Sequence, residues 1–333
     1  MTSTIAVLGA GSWGTTLADL LGRKGNTVRL WAFEAEVVEA INREHQNPVF
    51  LPGIALDPRV RAFDDAREAV ADADVLVSAA PSHAVRAVVG RVRGCLGAGT
   101  LVVSVTKGFE LETLERMSIV LGELLPGARI AVLSGPSFAQ EVCAGQPTAV
   151  VAAAVDRTDA LATQQVFATP SFRVYSHADV VGVELAGALK NVIAIAAGIL
   201  EGLGLGHNPR AALLTRGLAE ISRLGVAMGA DPLTFAGLAG MGDLILTACG
   251  DLSRNRALGI AVAQGQSFEA YRAAHRSVAE GANASRAGAA LAARMGVELP
   301  ITAKVCEVLF DGRPARDGVA ELMGRELKPE LWR

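Results

Sequence analysis

Cysteine is scarce and unpaired in this chain of 333 residues. Cys95, Cys143, Cys249 and Cys306 are far apart, without Cys-x-x-Cys spacing or a nearby histidine. A disulfide framework and a metal centre are both unsupported, so no metal is expected. Free thiols fit a reducing cytoplasm. Basic runs are also missing, and the net charge is −3. No nucleic-acid partner is expected, and any anion site must be a local cluster. The opening "MTSTIAVLGAG" has no basic segment ahead of a long apolar core, so no secretory signal is apparent. His45, His83, His177, His207 and His275 are scattered, and no His–Asp pairing is evident. Each reads as a surface or structural histidine. No internal repeat or low-complexity linker divides the chain.

What is present is apolar. Hydrophobic residues make up 51% and charged residues 20%, enough for about two globular cores at this length. Short β-rich runs alternate with helical stretches in the first half. They are 4–10, 27–32, 74–80, 100–106, 129–134, 148–155 and 172–176. Most are continuously apolar, as in strands buried on both faces. This pattern predicts an α/β fold with a parallel, doubly wound Rossmann-type sheet. After about residue 178 the pattern becomes helix, turn, helix. Asn208 and Pro209 suggest one helix start, Gly229 its end, and Asp231 with Pro232 another start. The predicted organisation is a dinucleotide-binding domain over 1–180 and an all-helical C-terminal domain over 181–333.

Gly9-x-Gly11-x-x-Gly14 follows the first strand and opens a helix, and Glu34 comes twenty residues after Gly14. A lone GxGxxG is weak evidence, but here strand, helix and acid are all in place. The glycines allow a tight turn close to a pyrophosphate, and the helix N-terminus faces that anion. Glu34 can accept from ribose hydroxyls and would repel a 2′-phosphate. "Trp31-Ala32-Phe33-Glu34" carries no cation. NAD is therefore expected to be preferred, with NADP possible. A bland alternative makes Glu34 a solvated loop acid.

"ELAGALKNVIAIAAGILEGLG" (184–204) has Lys190 and Asn191 near the centre of an apolar stretch. Those two residues argue against a membrane span. A buried lysine has a lowered pKa and can trade a proton near neutrality. The ordinary alternative is a lysine that snorkels to solvent. A functional lysine needs partners, and candidates exist. Lys107 follows the strand 100–106. Gly135-Pro136-Ser137 follows the strand 129–134. Asp243 sits in a glycine-rich segment, and Ser253-Arg254-Asn255-Arg256 falls at a helix start. An arginine beside an asparagine there suits a phosphate. Asn191 and Asp243 would give Lys190 polar company.

The blocks "GAGSWGTTLA", "NPVFLPG", "TKGFE", "GPSFAQEV", "GALKN", "GLAGMGDLILTACGDLSRNRALG" and "SVAEG" occur in that order. Together they resemble the NAD(P)-dependent glycerol-3-phosphate dehydrogenases in their bacterial form, over essentially the whole chain. The resemblance implies interconversion of sn-glycerol 3-phosphate and dihydroxyacetone phosphate, supplying phospholipid synthesis, in a cytoplasmic homodimer. It implies Lys190 as proton acceptor, supported by Lys107 and Asp243. Substrate contacts would be Lys107, Gly135, Ser137, Lys190, Asn191, Asp243, Ser253, Arg254 and Asn255. Cofactor contacts would be Gly9, Gly11, Ser12, Trp13, Gly14, Phe33, Glu34, Phe50, Lys107, Ala139, Arg254, Val278 and Glu280. Many bacterial members carry a basic residue near position 33. Here "W-x-F-E" is similar to the NAD-using eukaryotic enzymes instead. Two rival readings are a β-hydroxyacid dehydrogenase and a non-catalytic dinucleotide sensor.

Overall fold

The computed structural model describes residues 3–275, 279–327 and 329–330. Its strands are β1 (Thr4–Leu8), β2 (Thr27–Trp31), β3 (Gln46–Asn47), β4 (Leu51–Ala55), β5 (Val60–Phe63), β6 (Val75–Ser78), β7 (Leu101–Ser104), β8 (Arg129–Ser134), β9 (Thr148–Ala153) and β10 (Phe172–His177). All seven predicted runs are strands. Three further strands escaped the sequence reading. The edge strand β5 is short and carries Arg61, while β3 and β4 form a small separate ribbon.

The main sheet has eight strands in the order β10-β9-β8-β7-β6-β1-β2-β5. The predicted all-parallel sheet needs one correction, because β9 pairs antiparallel with β8. β10 then runs parallel to β9. The segment after β8 stays at the strand's carboxyl end, so β9 starts from that end and runs back. Apolar runs report burial on both faces, not direction, so the sequence did not reveal this reversal. β1 lies between β2 and β6. The chain changes direction there, which opens a crevice beyond the carboxyl ends of β1 and β6.

Apolar side chains cover both faces of the sheet. Val7, Val77 and Val103 pack on one side, and Leu8, Leu76 and Val102 on the other. The second core surrounds the helix Val180–Gly202. Asp179 starts that helix by accepting from Gly182 N at 2.8 Å. The helix is long and apolar enough to cross a membrane, but its most apolar window is 94% buried inside the protein. Burial of each Ile, Leu or Val there contributes about 1.5–3 kcal/mol. Glycine lets one neighbour approach to backbone contact. A Cβ on Gly198 would lie 2.0 Å from Arg256 O, and one on Gly259 would lie 2.0 Å from Ile195 O. The helix Arg254–Ala263 is thus held tightly against Val180–Gly202.

Helix-start signals fared unevenly. Asp231 caps as expected, accepting from Leu233 N at 2.9 Å with proline following. Gly229 ends the preceding helix at φ 90°. That helix starts earlier than predicted, at His207 after Gly206, and Asn208 lies within it. Proline is tolerated throughout a first turn because its missing N–H has no partner there.

Candidate active site

The glycine loop forms a cradle at the crevice. A Cβ on Gly14 would sit 1.9 Å from Gly9 O, and one on Gly9 would sit 2.8 Å from the Ala79 and Ala80 backbone. A Cβ on Gly11 would meet nothing within 4 Å. The helix Ser12–Arg23 starts without a side-chain cap. Open space before uncapped N–H groups suits a pyrophosphate. The loop after β3 closes over this cradle. Asn47 Nδ2 donates to Ala10 O and Thr15 Oγ1, both at 2.8 Å. Ser12 Oγ donates to Phe50 O at 2.5 Å. Ala139 approaches the same helix through Thr16, and Trp13 stands 6.4 Å from the Phe172 ring. Phe33 is 74% exposed beyond β2. The Glu34 carboxylate makes no hydrogen bond among the described residues. These residues fit a nicotinamide dinucleotide. Val278 lies outside the described residues.

Across the crevice, three charged side chains meet. Lys190 Nζ donates to Asp243 Oδ1 at 2.6 Å and to Thr247 Oγ1 at 2.5 Å. Lys107 Nζ donates to Asp243 Oδ2 at 2.7 Å and to Gly135 O at 2.9 Å. Ser137 Oγ also donates to Gly135 O. Lys190 is 5% exposed, so it does not snorkel. Its pKa is lowered to about 7, chiefly by burial and also by the Lys107 charge, with Asp243 opposing both. Asp243 follows a single π-helical turn, Leu238–Gly242. Such turns concentrate at functional sites. Thr247 was missed in the sequence. Its hydroxyl donates to Asp243 O at 2.7 Å, which turns a lone pair toward Lys190. The i, i+4 spacing from Asp243 would have marked it, given that Asp243 starts a helix.

The phosphate candidates have more mixed positions. Ser253 is a helix cap, accepting from Arg256 N at 3.2 Å. Asn191 does not bind its neighbour Lys190. Its Nδ2 reaches Gly187 O at 3.4 Å, and its Oδ1 accepts from Asn255 Nδ2 at 2.9 Å. Asn255 Oδ1 accepts from Gly281 N at 2.9 Å. The two asparagines therefore join three helices. Arg254 is solvent-exposed and makes no hydrogen bond among the described residues. Nearby protein still displaces enough water to lower its pKa, against the pull of Glu280. Arg256 instead binds Glu201 with two nitrogens, at 2.9 and 2.6 Å. Both carboxylate oxygens of Glu280 hold Ser82.

Two family models divide the chain. The NAD-dependent glycerol-3-phosphate dehydrogenase N-terminus matches residues 4–160, and the C-terminus of the same family matches 179–320. The chain belongs to that family. It is 55% identical over 335 residues to the glycerol-3-phosphate dehydrogenase [NAD(P)+] of Geobacter sulfurreducens, covering 100% of both chains. Identity to the enzyme of that name from Nitratidesulfovibrio vulgaris is 53% over 328 residues, covering 98% of this chain and 99% of the other. The crystal structure of glycerol-3-phosphate dehydrogenase from Coxiella burnetii is similar throughout. Its TM-score is 0.93 at 38% identity, covering 97% of this chain and 99% of that one. Family membership thus agrees with the resemblance in the sequence blocks, and the rival readings are not favoured.

Proposed function

We propose that this protein interconverts sn-glycerol 3-phosphate and dihydroxyacetone phosphate with a nicotinamide dinucleotide, Lys190 exchanging the C2 oxygen's proton. The observation that carries this reading is the buried Lys190–Asp243 pair, with the lysine pKa near 7. An acid/base group tuned to neutrality can serve both directions. The bound cofactor supplies the hydride for reduction and takes it up in oxidation. In reduction the Lys190 ammonium gives a proton to the C2 oxygen. In oxidation the neutral amine takes the hydroxyl proton. Asp243 and Thr247 fix Lys190 in place, and Lys107 offers a second cation to the substrate oxygen. Arg254 grips the phosphate at the exposed mouth, with Asn255 beside it. Gly135 and Ser137 shape the wall behind Lys107. The binding energy of the phosphate then helps to position the reacting carbon.

The organisation into domains 1–180 and 181–333 belongs to the same reading, as do a cytoplasmic setting, a homodimer and supply of phospholipid precursor. So does a preference for NAD, because Glu34 and Phe33 stand where a cation would favour a 2′-phosphate. The β-hydroxyacid dehydrogenase reading expects an asparagine four residues after the lysine, where Ala194 stands. A dinucleotide sensor would not need a buried lysine beside a phosphate grip. NADH oxidation measured with and without dihydroxyacetone phosphate tests the proposal. Oxidation should depend on that substrate, and equal rates in both assays would sink it.

A further inference from the structure

Ser82 has no place in the chemistry above, yet it stands where three parts of the protein meet. It lies two residues beyond Ala80, whose backbone packs against Gly9 of the dinucleotide cradle. It is 3% exposed. Its backbone N–H donates to Glu280 Oε1 at 2.9 Å, and its hydroxyl donates to Glu280 Oε2 at 2.6 Å. These partners are 198 residues apart in sequence. Glu280 opens the helix Glu280–Met295. The third part is the loop after β7. Thr106 Oγ1 donates to Ala80 O at 2.7 Å, tying that loop to the Ser82 turn. Gly108, next to Lys107, then passes beneath the contact. A Cβ on Gly108 would lie 2.6 Å from Ser82 Cβ and 3.2 Å from Glu280 Oε2.

We propose that Ser82 is a positioning residue for the dinucleotide, acting by fixing both oxygens of the Glu280 carboxylate at the rim of the crevice. The proposal rests on the functional reading above and on the cofactor contact that the sequence resemblance implies for Glu280. Two donors on one carboxylate define its orientation as well as its place. Without the hydroxyl, one oxygen of Glu280 loses its partner and the helix start that carries it is less firmly held. Glu280 also faces Arg254 electrostatically, so the same contact steadies the field at the phosphate grip. Gly108 is part of the device because only a residue without a Cβ leaves room for it.

The test is NADH binding to the full-length protein, followed by fluorescence without dihydroxyacetone phosphate, with melting temperature as a control for folding. Ser82→Ala should raise the Kd for NADH about tenfold, near the lower limit for losing one hydrogen bond to a charged acceptor. The kcat at saturating substrates should stay within about threefold of the parent. A merely structural serine would not produce this split. Gly108→Ala should weaken NADH binding similarly by intruding on the contact. Ser82→Cys keeps the side-chain size but donates poorly, and should also weaken it. In a Glu280→Ala background, Ser82→Ala should add less than about a factor of two. Unchanged NADH binding in folded Ser82→Ala protein would overturn the proposal. So would effects of Ser82→Ala and Glu280→Ala that simply multiply. Loss of substrate-dependent NADH oxidation in the parent protein would instead count against the functional reading, since the binding assay contains no phosphate substrate.

Discussion

Lys190 and Asp243 are 53 residues apart in the chain and joined at 2.6 Å in the fold. Asp243 also binds Lys107 through its other oxygen. One carboxylate thus serves two ammonium groups, and the cluster keeps an excess positive charge when both are protonated. Burying that excess costs free energy in the protein alone. The substrate's C2 oxygen, on which negative charge builds during hydride transfer, would meet that excess. The arrangement favours charge on that oxygen and keeps one lysine easy to deprotonate.

Replacing Lys190 with alanine should lower kcat by about 10²–10⁴, the usual worth of a positioned acid or base. Steady-state rates with dihydroxyacetone phosphate and NADH measure it. Near-normal kcat would remove Lys190 from its proposed role.

Lys190 should also shape the pH profile. Reduction uses its ammonium form, so kcat/KM for dihydroxyacetone phosphate should fall as pH rises through about 7. Oxidation uses the amine and should rise over the same range. Stability follows the same group. The ordinary lysine value is 10.5 and the folded value about 7, so the unfolded chain binds more protons between them. Stability should therefore climb with pH across that window. Thermal melts of Lys190→Met should show a shallower climb.

Glu34 and Phe33 predict the cofactor preference. kcat/KM should be higher with NADH than with NADPH. Glu34→Arg should narrow or reverse the ratio by offering a cation to the 2′-phosphate. Paired-cofactor kinetics on both proteins decide this, and a parent preference for NADPH would refute it.

Glu220 is a buried acid remote in role from catalysis. Its carboxylate accepts from Ile301 N at 2.6 Å and Thr302 N at 3.2 Å, at the start of the helix Pro300–Phe310. Burial raises its pKa from 4.5 to about 7 against those hydrogen bonds. The folded protein then binds more protons between these values, so this group's stabilisation declines as pH rises from about 4.5 to 7. Glu220→Gln keeps an acceptor and removes the charge. Its melting temperature at pH 8 should equal or exceed that of the parent, with a weaker decline over the acid range. Glu220→Ala should melt lower, since loss of the helix-start acceptor costs about 1 kcal/mol. Calorimetry across pH checks all three.

The sequence by itself determined seven of the eight strands of the main sheet, all but the edge strand β5, because residues buried on both faces must be apolar wherever their neighbours come from. It also determined the glycine cradle and the helices after β10, whose signals are local. It marked Lys190 and Asp243 as candidates because a charge in an apolar or glycine-rich segment needs a reason, and Lys107 because it follows the carboxyl end of a strand. Only the tertiary structure decided which candidates meet. It turned β9 against β8, made Ser253 a cap, and directed Asn191 toward Asn255 rather than Lys190. It also brought in Thr247 and Ser82, which look ordinary in the sequence. Periodicity records how much water a residue sees, whereas hydrogen bonds between distant segments depend on how the elements pack. That packing converted an isolated buried lysine into a paired one with a pKa near neutrality.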